Sequence, residues 1–317
     1  MIGVVVKSTG SSYLVALEGG GEVECVVRGR WRLRRSRSTN PVAVGDRVEV
    51  EQGSIDTATG ARRGVIVGVE PRRNCIVRRA ANLSRQSHVL AANVDLALLV
   101  VTVDWPRTST TFIDRFLAGA EAYGVPAALA INKIDLYNDR AREAKVAEWR
   151  ALYGGLDYEV LLVSAETGAG VGELEALLRD RQTLLAGHSG VGKSALTNCL
   201  LGREVARTAP ISVAHEAGRH TTTFSQMYRL PGGGGIIDIP GVKGFGTVEF
   251  RAAEVGHYFR EIFRIGRGCR YSDCTHRNEP GCRVVEAVER GEIAASRYRS
   301  YLSILGDEGE DRYREAY

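Results

Sequence analysis

The 317-residue chain has no apolar run approaching the roughly 18 residues that a membrane-spanning helix requires; its longest is Leu96 to Val103. The residues after Met1 lack the charged-then-apolar pattern of an export signal, so a cytoplasmic protein with no membrane partner is expected. Aromatic residues make up only 7%, and there are just five lysines: Lys7, Lys133, Lys145, Lys193 and Lys243. The six cysteines are unevenly placed, with Cys269, Cys274 and Cys282 in one short segment and Cys25, Cys75 and Cys199 scattered. That distribution excludes a disulfide framework and favours a metal cluster, leaving the scattered three as small core residues. A content of 44% hydrophobic and 25% charged residues excludes a disordered or collagenous chain. The length corresponds to two or three domains.

The formal net charge of +4 hides an asymmetry. Residues 1–85 carry one Lys and 14 Arg against 8 acidic residues, a balance of +7, and the remainder stands at −3. Arg28, Arg30, Arg32, Arg34, Arg35 and Arg37 fall within ten residues, and Arg62, Arg63, Arg72, Arg73, Arg78, Arg79 and Arg85 follow. Guanidinium groups grip phosphate bidentately and stack on bases, so RNA is the first partner to consider; a solvated charged loop is the alternative. The same region reads as five short strands at 2–6, 13–17, 23–27, 47–50 and 65–69, with polar turns between them. That pattern suits a small barrel of the oligonucleotide-binding (OB) type, with an SH3-like barrel as its rival.

After Arg85 the pattern changes to strands at 96–103, 127–131, 158–163 and 183–186, alternating with helical segments. This predicts an α/β domain with a parallel sheet covered on both faces, which binds ligands beyond the carboxyl ends of its strands. The motifs fall at those ends. Gly187, His188, Ser189, Gly190, Val191, Gly192, Lys193 and Ser194 spell GxxxxGK[ST] between a strand and an apolar helix. Glycines let consecutive amides face phosphate oxygens, Lys193 neutralises them, and the Ser194 hydroxyl suits Mg²⁺. Asn132, Lys133 and Asp135 form NKxD, whose carboxylate accepts from the ring N–H and exocyclic amine of guanine, a pattern adenine does not present. Ser164 and Ala165 supply a small turn after another strand. Asp238 and Gly241 form DxxG, suited to the Mg²⁺ shell and the γ-phosphate. Either Thr221 or Thr222 is the expected second hydroxyl ligand of that Mg²⁺.

Near the carboxyl end, Cys269, Cys274, His276 and Cys282 show the spacing C-x4-C-x-H-x5-C. Three thiolates and one imidazole complete a tetrahedral Zn²⁺ shell with no open position, so this site is expected to be structural. Arg267, Arg270, Arg277 and Arg283 surround it, as a second RNA contact or as solvated charge.

NKxD and the Ser-Ala turn precede the phosphate loop, whereas a guanine-nucleotide domain ordinarily carries them after it, so the order is circularly permuted. Permuted order, a preceding basic barrel and a following Cys/His cluster together closely resemble the small ribosomal subunit-dependent GTPase A family of bacteria. The likeness runs from the barrel to Cys282 and implies an OB-fold RNA-binding domain at 1–75, a circularly permuted P-loop GTPase domain at 85–248 and an α-helical zinc domain at 249–317. It further implies a GTPase that converts GTP to GDP and phosphate, docks on the small ribosomal subunit and its rRNA late in maturation, and is stimulated by it. Val242 stands where Ras-like enzymes carry a water-orienting glutamine, and the resemblance points to His220 as the catalytic candidate. A monomer bound to the large particle is the simplest assembly. A rival reading makes the chain an RNA-binding assembly factor that senses GTP and hydrolyses it incidentally, and an ATP-dependent enzyme fails on NKxD.

Overall fold

The structure, a computed structural model, describes residues 1–10, 12–28, 41–55, 62–79, 87–205, 225–239 and 252–306. The amino-terminal strands are β1 (Ile2–Ser8), β2 (Tyr13–Leu17), β3 (Glu22–Val27), β4 (Arg47–Ile55) and β5 (Arg62–Val69). They alternate inward and outward residues, and Val5, Tyr13, Val15, Cys25, Val48, Val50 and Ile66 meet in a closed core. β-branched side chains fit this pleated surface. The neighbour order is β1-β2-β3-β5-β4, closed by a β1–β4 pairing, with β3 and β5 parallel. This is the five-stranded OB-type barrel expected, and the SH3-like rival falls away.

The barrel is not a separate bead on a linker. β1 also pairs antiparallel with β12 (Ser225–Arg229), Lys7 opposite Gln226 and Ser8 opposite Ser225. From β12 the sheet continues through β13 (Gly235–Asp238), β11 (Gln182–Ala186), β8 (Leu96–Val101), β9 (Ala127–Ile131) and β10 (Glu159–Leu162), giving 11 strands among the described residues. The pairings from β13 to β10 are parallel. β8, Leu-Ala-Leu-Leu-Val-Val, is buried along its whole length because both faces are covered. Leu99 and Val101 point to one face, under α1 (Thr110–Ala122) and α2 (Arg140–Gly154). Leu98 and Val100 point to the other, under α3 (Val171–Leu178) and α4 (Lys193–Leu201).

A hairpin of β6 (Cys75–Arg79) and β7 (Ser87–Ala92), not anticipated from the sequence, joins barrel to α/β domain. Burial pushes the Cys25 thiol up to about 11. Cys75 and Cys199, expected in the core, are only half-buried, Cys75 because it begins this hairpin and Cys199 because it lies at the margin of a packed face. The carboxyl-terminal region folds as α5 (Ala252–Val255), α6 (Arg260–Gly266), α7 (Arg283–Glu289) and α8 (Ala295–Gly306). Its core of Val255, Phe259, Ile262, Val284, Tyr301 and Ile304 includes Ala118 of α1. Two arginines reinforce that junction: Arg297 bonds Asp114, and Arg260 bonds Glu121.

The barrel's turn into β4 is fixed by Asp46, fully buried, which accepts from Arg72 through both carboxylate oxygens at 2.7 Å and from the Ala43 amide at 2.8 Å. Asp46→Ala strands the arginine and that amide together. Chemical denaturation should show a loss of about 3 to 5 kcal/mol, while a surface exchange such as Glu51→Ala shifts the transition little.

Candidate functional site

The carboxyl ends of β8, β9, β10, β11 and β13 open onto one side of the sheet, and the sequence motifs gather there. The turn from β11 into α4 is Gly187 to Gly192, with positive φ at Gly187, Gly190 and Gly192. At Gly192 a Cβ would lie 2.4 Å from Asn132 Nδ2, so the loop needs both the backbone freedom and the missing side chain. The loop ends at the amino terminus of α4, where unpaired amides and the helix dipole favour an anion. Lys193 folds back over it, donating to the Gly187 and His188 carbonyls at 2.8 and 2.7 Å. Burial draws the Lys193 ammonium below its ordinary value, against the pull of Asp238. Burial raises the Asp238 carboxyl in turn, opposed by Lys193.

Asn132 is buried at the end of β9 and ties three motifs together. Its Nδ2 donates to the Val191 carbonyl at 2.8 Å, and its Oδ1 accepts from the Ala165 amide at 3.2 Å. Lys133, in the left-handed region, donates to the Gly190 carbonyl at 2.8 Å and to that of Trp105. Ser164 Oγ donates to Asp135 Oδ1 at 2.5 Å and accepts from the Thr167 amide, which fixes the carboxylate's orientation. Asn132, Lys133, Asp135, Ser164, Ala165 and the phosphate loop are thus hydrogen-bonded into one cluster whose donors and acceptors suit guanine and phosphate. Asp238 ends β13 beside it. Ser194 lies in the first turn of α4. His220, Thr221, Thr222, Gly241 and Val242 lie outside the described residues, as do Arg30, Arg32, Arg34, Arg35, Arg37 and Arg85.

Several contacts at this site carried no motif signal. Phe112 of α1 stacks on the His188 ring with centroids 3.7 Å apart. Pro106 lies against Gly190, where a Cβ would sit 3.4 Å from the proline Cδ. Tyr137 Oη donates to the Asn132 carbonyl and accepts from the Val103 amide, bracing the strand end from behind. Isolated aromatic residues in a helical pattern read equally well as core, so spacing could not single them out.

The second cluster lies in the carboxyl-terminal region. The ligand atoms of Cys269, Cys274, His276 and Cys282 all lie within 4.8 Å of one another. Cys269 Sγ and Cys282 Sγ are 3.9 Å apart, and His276 Nδ1 is 3.6 and 3.4 Å from them. A tetrahedron with Zn–S bonds of about 2.3 Å and a Zn–N bond of about 2.1 Å has edges of roughly 3.6 to 3.8 Å, so the donor set fits that ion. Burial pushes the Cys274 thiol up to about 12 and lowers the His276 imidazole, favouring neutral groups until a cation compensates. Glu279 organises the loop by accepting from the Thr275, Arg277 and Asn278 amides and the Thr275 hydroxyl. Tyr298 and Tyr301 donate to the His276 and Thr275 carbonyls at 2.6 Å.

The RsgA GTPase family model matches residues 69–248, and that of the RsgA N-terminal domain matches residues 2–60. A Porphyromonas gingivalis protein named small ribosomal subunit biogenesis GTPase RsgA is 54% identical, with 100% of both chains covered. A protein of the same name from Bacteroides fragilis is 51% identical, again with 100% of both covered. Among solved structures, YjeQ from Thermotoga maritima matches with a TM-score of 0.76 at 36% identity, covering 98% of this chain and 99% of that one. YloQ, described as a circularly permuted GTPase, matches with a TM-score of 0.74 at 25% identity, covering 98% and 96%.

Removing the Asn132 amide leaves the Val191 carbonyl and the Ala165 amide unpaired. Asn132→Ala should lower stability by about 1 to 3 kcal/mol per stranded group and weaken guanine-nucleotide binding, measured by thermal unfolding and by titration with labelled GDP.

Proposed function

The chain belongs to the RsgA GTPase family, and on that premise we propose that it hydrolyses GTP in the biogenesis of the small ribosomal subunit, using the cleft at the carboxyl ends of the parallel strands. The observation that carries the reading is the Asn132 bridge, which brings motifs in permuted order together at one end of the sheet. Asp135, its Oδ1 held by Ser164, keeps acceptors for the ring N–H and exocyclic amine of guanine, and Ala165 closes the turn around the base. The amides from Gly187 to Ser194, the α4 terminus and the Lys193 ammonium receive the phosphates. Ser194 and Asp238 offer the hard oxygen donors that fit Mg²⁺, which when bound neutralises charge on the transferred phosphoryl group. Thr221 or Thr222 adds a hydroxyl and Gly241 meets the γ-phosphate, as their motifs suggest, and His220 orients the attacking water, as the family resemblance implies.

Cys269, Cys274, His276 and Cys282 hold a structural Zn²⁺, a role supported by three thiols and an imidazole gathered within 4.8 Å of one another. The chain divides into a barrel at 1–75, a GTPase domain at 85–248 and a zinc domain at 249–317. It acts as a cytoplasmic monomer on the small subunit and its rRNA, a reading supported by its likeness to proteins named small ribosomal subunit biogenesis GTPase. The arginine-rich barrel supplies the electrostatic contact with RNA phosphates.

Metal analysis of the purified chain should find one zinc per chain, lost in Cys282→Ser. GTP turnover should rise several-fold with small subunits and not with large subunits or naked rRNA, and Lys193→Ala should abolish it. An unchanged rate under conditions where the chain co-sediments with small subunits would refute the coupling. Release of intact GTP in single-turnover assays would favour a sensing role instead.

A further inference from the structure

Helix α1 touches the phosphate loop at one end and is built into the carboxyl-terminal domain along its length. At its amino end, Phe112 stacks on His188 at 3.7 Å, and Pro106 in the preceding loop packs on Gly190. That loop is itself pinned to the end of β8, with the Thr108 amide donating to the Thr102 carbonyl and the Thr102 amide to Thr108 Oγ1. Two residues on, which in a helix is close to the opposite side, Asp114 is fully buried and accepts from Arg297 at 2.8 Å and from Tyr153 at 3.0 Å. Arg297 is 1% exposed, grips Glu261 through two further bonds at 2.7 and 3.1 Å, and lies over the Phe259 ring. Lower on the helix, Arg260 joins Glu121 to the Leu156 and Asp157 carbonyls.

Buried charges held by several directional bonds do not slide; any shift of α6 or α8 must move α1 or break the pairing, at substantial cost. The phosphate loop is attached to the opposite side of the same helix, two residues from that pin, through the Phe112–His188 stack. We propose that the Phe112–His188 stack is the contact through which α1 couples guanine-nucleotide binding to the carboxyl-terminal domain, with Arg297 as the pin. By linkage, nucleotide at the loop must then alter the domain, and a load on the domain must alter the hold on nucleotide. This rests on the reading that guanine nucleotide occupies the Gly187 to Ser194 loop.

Hydrogen exchange on the full chain, without nucleotide, with GDP and with a non-hydrolysable GTP analogue, tests it. In the natural chain, nucleotide should slow exchange at 187–194 and change exchange across α8. In Phe112→Ala the first effect should persist and the second be lost, and Phe112→Tyr should restore it. Asp114→Asn, which loosens the pin from the other side, should likewise remove the α8 response while leaving protection at 187–194. An α8 response absent from the natural chain, or undiminished in either Phe112→Ala or Asp114→Asn, overturns the proposal. Absence of nucleotide protection at 187–194 in the natural chain instead overturns the binding-site reading, and the coupling with it.

Discussion

The site depends on one buried primary amide. Asn132 both donates and accepts, so a single side chain can close the gap between the Val191 carbonyl and the Ala165 amide. A carboxylate would offer no donor to the carbonyl, and an apolar residue would satisfy neither group. The bond to Val191 spans 59 residues of sequence, so it forms only after β9 and β11 are both in the sheet, with β8 between them. Circular permutation leaves this arrangement intact because the sheet fixes positions in space, whereas chain order only fixes which loops connect them. The glycine at 192 follows from the same amide, since any Cβ there would collide with Nδ2.

The sheet also explains how the outer parts of the chain reach the site. β1 of the barrel adds to β12, and β12 pairs with β13, whose last residue is Asp238. Val6 and Ala16 of the barrel share a core with Met227 and Ile237, so this edge is packed as well as hydrogen-bonded. On the far side of the phosphate loop, α1 carries Ala118 into the carboxyl-terminal core. The two outer parts therefore meet the central sheet at different elements, one beside Asp238 and one beside His188.

Much of the fold was legible because local pattern and tertiary environment agree. The run of apolar residues in β8 signals a strand buried on both faces, and the barrel strands alternate as a closed barrel requires. The hairpin of β6 and β7 was illegible, since its arginines resemble loop charge and its open end is closed by side-chain bonds of Asn74 and Asn93, the residues that flank the two strands. The motif residues were visible because phosphate and guanine recognition demand fixed spacing. Phe112, Pro106 and Arg297 were not, because their roles arise from partners as much as 183 residues away, as in Arg297 with Asp114.

Arginine use shows where counting charges misleads. Arg72 is spent on buried Asp46, Arg73 on Asp95, and Arg47 on Glu18 and Glu70, so these belong to the protein's own framework. A guanidinium forks onto two oxygens or two carbonyls at once, as Arg72, Arg260 and Arg297 do; an ammonium cannot reproduce that planar geometry. Arg28 pairs with Glu51 at the surface, both more than half exposed, a contact weak enough to yield to a phosphate. The amino-terminal +7 thus overstates how many arginines are available to RNA, and structural demand for forked donors accounts for part of the chain's preference for arginine over lysine. Lys133 and Lys193 sit instead where a compact point charge is needed, against the carbonyls of a glycine-rich turn.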